Sequence, residues 1–349
     1  MIGWQTGINA IALGLAAPAV LGLASGGAVM AASLEEQLRQ PVNPAALNQQ
    51  RDIADQLLRL GRQQAAAGQY EIAIRSWHRA ADLYYDLGDR PAMGSAYENI
   101  AAAYVQLGNY AEAETAIRRQ LAIARDNGDF ETQIFAWNNL GALQLQRGEL
   151  ISALNAFEEG LAVAQSVGSE AGMGLSLSNL GLIANAQGRL EAAIDYYEAA
   201  GNYRARAGDA LGQANTNNNL GDAYLAAGLT NRALGAYRLA LTLGRELSSQ
   251  PTQLQAIDGL IAIYRDRSDW NQVRRYLDSR IALTLDGVSP WQRLLTLRHL
   301  GQYYEATGEL VSAQSAYQQA LAIAQSLSQK PLEGELTNRL LYLSRALAD

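Results

Sequence analysis

The chain has 349 residues, of which 49% are hydrophobic and 17% charged, values typical of an ordinary folded protein. Its net charge is −7 and it contains no basic run, which argues against a nucleic-acid-binding surface. The absence of cysteine excludes a disulfide framework and thiol chemistry.

The first 34 residues carry no charged side chain, and residues 8–29 form an apolar run that ends in small residues. Such an ending is typical of a signal-peptidase site, so residues 1–31 are predicted to be a signal peptide. The rest of the chain would then be exported, to a periplasm or a thylakoid lumen. The positively charged start of a signal peptide is missing, and the alternative is an uncleaved membrane anchor, because about 20 apolar residues span a bilayer. Residues 32–53 are predicted to form a linker and a lead-in helix.

From Leu60 onward, one pattern returns every 40 residues without insertion or deletion. An aliphatic residue, usually followed by a small one, occupies one column: Leu60, Ile100, Leu140, Leu180, Leu220, Leu260, Leu300 and Leu340. Glycine occupies a second column: Gly68, Gly108, Gly148, Gly188, Gly228 and Gly308. Alanine and, four residues later, a large apolar residue complete the unit, as at Ala193 and Tyr197. Repetition of one supersecondary unit is therefore the main feature of the chain.

Within the unit, apolar residues recur at helical spacing in two stripes separated by the glycine column. Tyr97, Ile100 and Tyr104 belong to the first stripe, and Ala113 and Ile117 to the second. Glycine is poor inside a helix but suits the left-handed position just beyond its end. Each unit is therefore predicted to be a first helix, helix A, a tight turn, a second helix, helix B, and a second turn.

The order Leu-Gly, Tyr, Gly, Ala and aromatic resembles the tetratricopeptide-repeat (TPR) signature, and Trp137 precedes Leu140 as the signature tryptophan does. The usual repeat has about 34 residues, whereas the longer period here is similar to the repeats of kinesin light chains and Pins-type polarity scaffolds. The resemblance implies an all-α, right-handed TPR superhelix (solenoid) with seven repeats over residues 54–333 and a capping helix over residues 334–349. The predicted repeats are 54–93, 94–133, 134–173, 174–213, 214–253, 254–293 and 294–333.

The sixth repeat departs from the pattern. Ser268, Val273, Leu277 and Arg280 replace the usual glycine, alanine, aromatic residue and alanine. Further arginines crowd the same repeat, interleaved with aspartates: Arg265, Arg267, Arg274 and Arg275. The favoured interpretation is a degenerate repeat whose charges form ion pairs on a solvent-exposed face. The alternative is a secondary docking surface for an acidic partner.

The column just before the aliphatic one holds four consecutive asparagines, Asn99, Asn139, Asn179 and Asn219. Asparagine is a mediocre helix former, so its repetition at one helical position calls for a reason. In TPR proteins this position faces the concave groove, and an asparagine there offers the carbonyl and NH₂ groups that hydrogen-bond a peptide backbone. The predicted peptide-binding groove comprises Asn99, Asn138, Asn139, Asn179, Asn215, Asn218, Asn219 and Asp222.

The sequence allows two other interpretations besides this groove. The asparagines could instead bond to neighbouring helices or to water. The carboxylate clamp, another TPR binding mode, needs cations on the first helices of three repeats, and only Arg59 and Arg62 approach that arrangement, so it is rejected.

No catalytic motif is present, and the two histidines, His78 and His299, lie far apart in the chain. The sequence therefore predicts a non-enzymatic scaffold without cofactor or metal, which binds an extended segment of another protein and associates with a membrane at most through its N-terminus. The alternative resembles exported cyanobacterial TPR proteins that help a photosystem subunit mature. Such an assembly factor would handle a metal ion, with Glu98 and Asp222 as oxygen ligands.

Overall fold

The computed structural model describes residues 44–284 and 289–348, and all regular secondary structure in these ranges is helical. Fifteen helices occur there: α1 Pro44–Ala66, α2 Tyr70–Asp86, α3 Arg90–Gln106, α4 Tyr110–Asp126, α5 Phe130–Gln146, α6 Leu150–Ser166, α7 Glu170–Ala186, α8 Leu190–Arg206, α9 Ala210–Ala226, α10 Thr230–Glu246, α11 Gln250–Asp266, α12 Trp270–Thr284, α13 Pro290–Ala306, α14 Leu310–Ser326 and α15 Lys330–Ala346. The odd-numbered helices are helices A and the even-numbered ones helices B. The prediction of an all-α fold with seven helix pairs and a final single helix is confirmed. The predicted signal peptide lies outside the described residues, and the handedness of the superhelix stays a prediction.

Aspartate side chains determine where three of the helices A begin. The carboxylates of Asp89, Asp129 and Asp209 accept hydrogen bonds from the backbone N–H groups three residues later, at 3.1, 3.0 and 2.8 Å. Such N-caps satisfy donors that have no partner inside the helix. As a result, α3 begins at Arg90 and α5 at Phe130, four residues before the predicted repeat boundaries at 94 and 134.

Left-handed residues end the helices, as the glycine column predicts for helices A at Gly108, and glycines such as Gly88 do the same for helices B. Gly88 has a φ of 69°, and its N–H donates to the Tyr85 carbonyl at 3.0 Å. The N–H of Asp89 donates to the Tyr84 carbonyl at 2.9 Å, which completes the paired bonds of a Schellman motif. Ser268, where the column lacks glycine, adopts the same conformation with a φ of 55°. The turn geometry is therefore conserved along the chain even where the residue is not glycine.

The helices form two compact units, residues up to Leu180 and residues from Gly181. Within each unit, each helix packs against the next one along the chain. Three-residue connections such as 67–69 and 87–89 make these neighbours antiparallel. The cores of the two units consist mainly of alanine, aliphatic residues and buried aromatic rings.

The glycine after the aliphatic column makes room for an aromatic ring of the helix B in the same pair. A Cβ atom placed on Gly221 would lie 2.6 Å from the Tyr237 ring. The same close approach occurs in five pairs: Gly61–Trp77, Gly141–Phe157, Gly181–Tyr197, Gly221–Tyr237 and Gly301–Tyr317. The two repeats with a larger residue at this position have an aliphatic partner: Ala101–Ile117 and Ile261–Leu277. The Ala101–Ile117 pair thus has nearly the same summed volume as a glycine–tyrosine pair, as a densely packed core requires, whereas the Ile261–Leu277 pair is larger.

This pairing predicts a strong coupling between the two positions. Gly221→Ala should lower the free energy of unfolding by about 1–3 kcal/mol, because the added methyl group overpacks the Tyr237 ring. In a Tyr237→Ile background the same change should cost less by about 1 kcal/mol or more, because that pair reproduces Ala101–Ile117. Urea denaturation of the four proteins measures the coupling. The control is Gly235→Ala, two residues before Tyr237 on α10. It should stabilise the protein, since nothing lies within 4 Å of the added methyl group. Equal losses in both backgrounds would contradict the volume argument.

Candidate functional site

The asparagine column, Asn99, Asn139, Asn179 and Asn219, lies near the middle of helices α3, α5, α7 and α9. All four side chains are partly exposed, although the aliphatic residue that follows each of them is buried. Consecutive residues of a helix point about 100° apart, so the column borders the core without entering it.

The four amides differ in the hydrogen-bonding groups that they leave available. The Nδ2 atom of Asn99 donates to the Ser95 carbonyl at 2.6 Å, and that of Asn179 donates to Asn138 Oδ1 at 2.9 Å. Within residues 44–284 and 289–348, the side chains of Asn139 and Asn219 make no hydrogen bond. An asparagine amide has two donor hydrogens and one acceptor oxygen. Each member of the column therefore keeps both a donor and an acceptor for a ligand.

Asn138 and Asn218, one residue before the column, are enclosed by the protein. Asn138 is 1% exposed, and its Nδ2 atom donates to the Ile134 carbonyl and to Ser176 Oγ, both at 2.8 Å. Asn218 is fully buried and donates to the Thr252 carbonyl at 3.0 Å. The bonds to Ser176 and Thr252 join neighbouring helices A, α5 to α7 and α9 to α11. Asn138 and Asn218, two of the eight predicted groove residues, are therefore enclosed between helices, as the alternative interpretation of the asparagines expects.

Asn215 and Asp222 also contact α11, but less completely. Asn215 is exposed and accepts a hydrogen bond from Thr252 Oγ1 at 2.9 Å. Asp222 accepts from the Tyr237 hydroxyl at 2.5 Å and from Gln255 Nε2 at 3.3 Å. Burial raises the pKa of Asp222, an effect that these two hydrogen bonds partly oppose. Asp222 therefore acts mainly between helices, whereas Asn215 is exposed and its amide nitrogen makes no hydrogen bond with the residues that the structure describes.

A cleft of about 360 Å³ adjoins the column at Asn99. Helices α1, α2 and α3 line it, through Arg62, Ala65, Tyr70, Trp77, Asn99, Ala102, Ala103 and Gln106. Arg62 is exposed and makes no ion pair with the residues that the structure describes. The cleft thus combines aromatic walls with one cation and two amides.

The irregular sixth repeat contains a buried ion pair, which corrects the prediction that its charges lie on a solvent-exposed face. Arg280 is fully buried, and its guanidinium donates to both carboxylate oxygens of Asp258, at 2.6 and 3.0 Å. It also donates to Thr296 Oγ1 at 2.5 Å and to the Gln292 carbonyl at 3.2 Å. The prediction is correct for Arg274, which is partly exposed and pairs with Asp278 four residues later. Arg280 occupies a column that holds alanine or glycine in five of the other six repeats, as at Ala240 and Ala320, and this was the sequence signal for a buried arginine.

A family model for the tetratricopeptide repeat matches the chain three times, over residues 92–166, 132–202 and 172–246. The overlapping matches follow the succession of helix pairs from α3 to α10. The chain belongs to the tetratricopeptide-repeat family. The resemblance that the sequence carries is therefore confirmed, and the helix starts establish the 40-residue length of this TPR unit.

Solved structures show the same fold at low sequence identity. A signal-transduction ATPase with numerous domains and a tetratricopeptide-repeat sensor, from Pyrococcus horikoshii, is 16% identical with a TM-score of 0.62, covering 83% of this chain and 45% of that one. A Rap protein complexed with competence and sporulation factor is 11% identical with a TM-score of 0.52, covering 87% and 99%. A putative kinesin light chain from Podosopora anserina with nearly identical TPR-like repeats is 20% identical, with a TM-score of 0.48 and coverage of 56% and 96%. No curated protein matches the chain significantly.

The metal-handling alternative finds no support in the described part of this TPR chain. Glu98 is exposed on α3, and Asp222 bonds to Tyr237 and Gln255 as described above. Residues 44–284 and 289–348 contain no group of three or more acidic, histidine or cysteine side chains placed to hold a metal ion. In the same ranges, no helix has both the length and the apolar character needed to cross a bilayer.

His299 occupies in α13 the position that the column asparagines occupy in α3, α5, α7 and α9. Its surroundings predict that acid lowers the free energy of unfolding. Its side chain is 14% exposed, with Nε2 3.6 Å from Asp258 Oδ1. The pKa of His299 is lowered to about 4, mainly by burial; Asp258 opposes this shift, and the charges of Arg280, Arg298 and Arg265 contribute to it. Because the folded pKa lies below the unfolded value, this stability is complete above about pH 6.5 and is lost as the pH falls. Between pH 7 and pH 5 the loss should be about 2 kcal/mol.

Urea denaturation at a series of pH values measures this effect. Between pH 7 and pH 5, the stability of His299→Gln should fall by about 2 kcal/mol less than that of the unaltered protein. Identical slopes would mean that His299 takes up its proton equally well in the folded chain. Carboxylates elsewhere titrate in both proteins, so the difference between the two curves isolates the histidine.

Proposed function

We propose that this TPR protein is a non-enzymatic scaffold that holds an extended segment of a partner protein along its helices A. The observation that carries the proposal is the free amide of Asn139, partly exposed at the centre of the column, with hydrogen-bonding capacity left on Asn99 and Asn179. An amide binds backbone N–H and C=O groups whatever the side chains are. Asn219 and Asn215 offer the same groups in the second unit.

The fold supports a protein partner in general terms. TPR repeats act as scaffolds for protein–protein contacts, and the Rap protein of similar fold was solved with competence and sporulation factor bound. A repeat protein presents one helix of each pair along an extended surface, which suits a long, narrow ligand.

Site-specific photocrosslinking tests the proposal. A photoreactive amino acid at position 139 should trap the partner in a native extract, because the side chain would lie against the bound segment. The matched control is position 151, where Ile151 is 78% exposed on helix B of the same pair. Equal trapping at both positions, or trapping at 151 alone, would contradict binding along the helices A.

We also propose that the protein acts outside the cytoplasm, on the strength of the uncharged, apolar start of the sequence. Mass spectrometry of the native protein should find its N-terminus between Ala28 and Leu34. Recovery of intact Met1 from a soluble cytoplasmic fraction would contradict export, and intact Met1 in membranes would favour the anchor over residues 8–29.

A further inference from the structure

Two adjacent helices A in the first unit carry no charge on the face that holds the asparagine column. Residues 132–146 of α5 and 171–180 of α7 contain no acidic, basic or histidine side chain. In a chain with 17% charged residues, this is a long interval. It contrasts with α1 and α3, which place Arg62 and Glu98 at exposed positions.

Apolar side chains accompany the asparagines on this face. Phe135 is 44% exposed, although it is a large aromatic residue. It precedes Asn139 by four residues, so the two side chains are neighbours on α5. Leu175, partly exposed, precedes Asn179 by the same interval on α7. We call Phe135, Asn139, Ala142, Leu175 and Asn179 the uncharged face.

We propose that the partner segment is itself uncharged where it crosses α5 and α7, and that it places aliphatic or aromatic side chains against Phe135 and Leu175. This inference rests on the proposed function, which supplies the backbone contacts to Asn139 and Asn179. In an extended segment, alternate side chains point the same way, so one set can face the apolar residues while the backbone meets the amides.

The lack of charge selects against other segments. An acidic or basic side chain held on the uncharged face would lose water without gaining an ion partner, which is costly. An uncharged apolar side chain gains from the same burial, because it removes the exposed part of Phe135 from water. The uncharged face therefore complements an uncharged segment. It favours such a segment both by binding its apolar side chains and by disfavouring segments that carry charge.

Selection of short random peptides displayed on phage, against the full chain, tests this directly. The enriched peptides should share an uncharged run with aliphatic or aromatic residues at alternate positions. Enrichment of peptides with charged residues throughout would overturn the inference.

Variants then locate the contact. Phe135→Glu should weaken the binding of an enriched peptide about 100-fold, whereas Phe135→Leu should keep it within about threefold. Ile151→Glu places the same charge on helix B of that pair and should leave the affinity unchanged. Unchanged binding in Phe135→Glu would overturn the inference.

The outcomes separate this inference from the proposed function. If Asn139→Ala weakens peptide binding while Phe135→Glu does not, the scaffold function stands and the uncharged-segment inference falls. If neither variant affects the peptides, both fall. Loss of binding in both variants, with a normal melting temperature, supports both.

Discussion

Arg280→Ala is expected to lower the free energy of unfolding by about 3–5 kcal/mol, since removing one partner of a buried ion pair leaves the other without compensation. The guanidinium is fully buried and donates to Asp258, Thr296 and Gln292, so its loss also creates a void between α11, α12 and α13. Because Asp258 is 33% exposed and water can reach it in part, we expect the lower end of this range. Urea denaturation of the variant and the unaltered protein measures the difference.

Two further proteins make this prediction specific. Arg118→Ala removes an exposed pair with Glu114 four residues earlier and should cost about 0.5 kcal/mol or less. The double variant Asp258→Ala/Arg280→Ala should recover part of the loss, because no buried charge is then left unpaired. If Arg280→Ala were no more destabilising than Arg118→Ala, the buried network would contribute nothing beyond an ordinary surface pair.

Simultaneous replacement of Asn99, Asn139 and Asn179 by alanine is expected to weaken partner binding by about 10- to 1,000-fold. A neutral hydrogen bond contributes roughly 0.5–1.5 kcal/mol net, and each factor of ten in affinity corresponds to about 1.4 kcal/mol. Loss of several backbone bonds at three positions gives the stated range. Isothermal titration with the captured partner, or with a peptide enriched by selection, provides the measurement.

The structure also determines which asparagine carries a stability cost. Asn179 donates to the buried Oδ1 atom of Asn138, so Asn179→Ala removes the partner of an enclosed acceptor and should destabilise by about 1 kcal/mol. Asn99 and Asn139 have no such role, and their replacement by alanine should leave the melting temperature equal or slightly higher, because alanine is the better helix former. The double variant Asn99→Ala/Asn139→Ala therefore separates binding from stability. Unchanged affinity in that variant and in the triple variant would mean that the partner binds elsewhere.

The sequence by itself determined the architecture, because local residue patterns that recur along the chain specify it. Apolar spacing predicted helices, and glycine or serine in a left-handed conformation ends them where the column indicated, as at Gly108 and Ser268. The small residue at Gly221 and the large one at Tyr237 also belong to a pattern, and the structure shows that they touch. These features depend only on residues within one helix pair, and the recurrence of the same pattern in successive pairs makes them visible in the sequence.

Only the tertiary structure decided which individual polar residues are buried and which stay exposed. Asn138 and Asn139 are adjacent and chemically identical, yet one is enclosed and bonded to α7 while the other stays partly exposed. Arg280 is buried although the repeat around it is rich in exposed charge. A helix turns by about 100° per residue, and the partners of a buried polar side chain lie on other helices, 38 residues away for Asn138 and 12 to 22 residues away for Arg280. Local periodicity therefore specifies the helices, whereas the stacking of successive pairs determines which polar groups remain available to a partner.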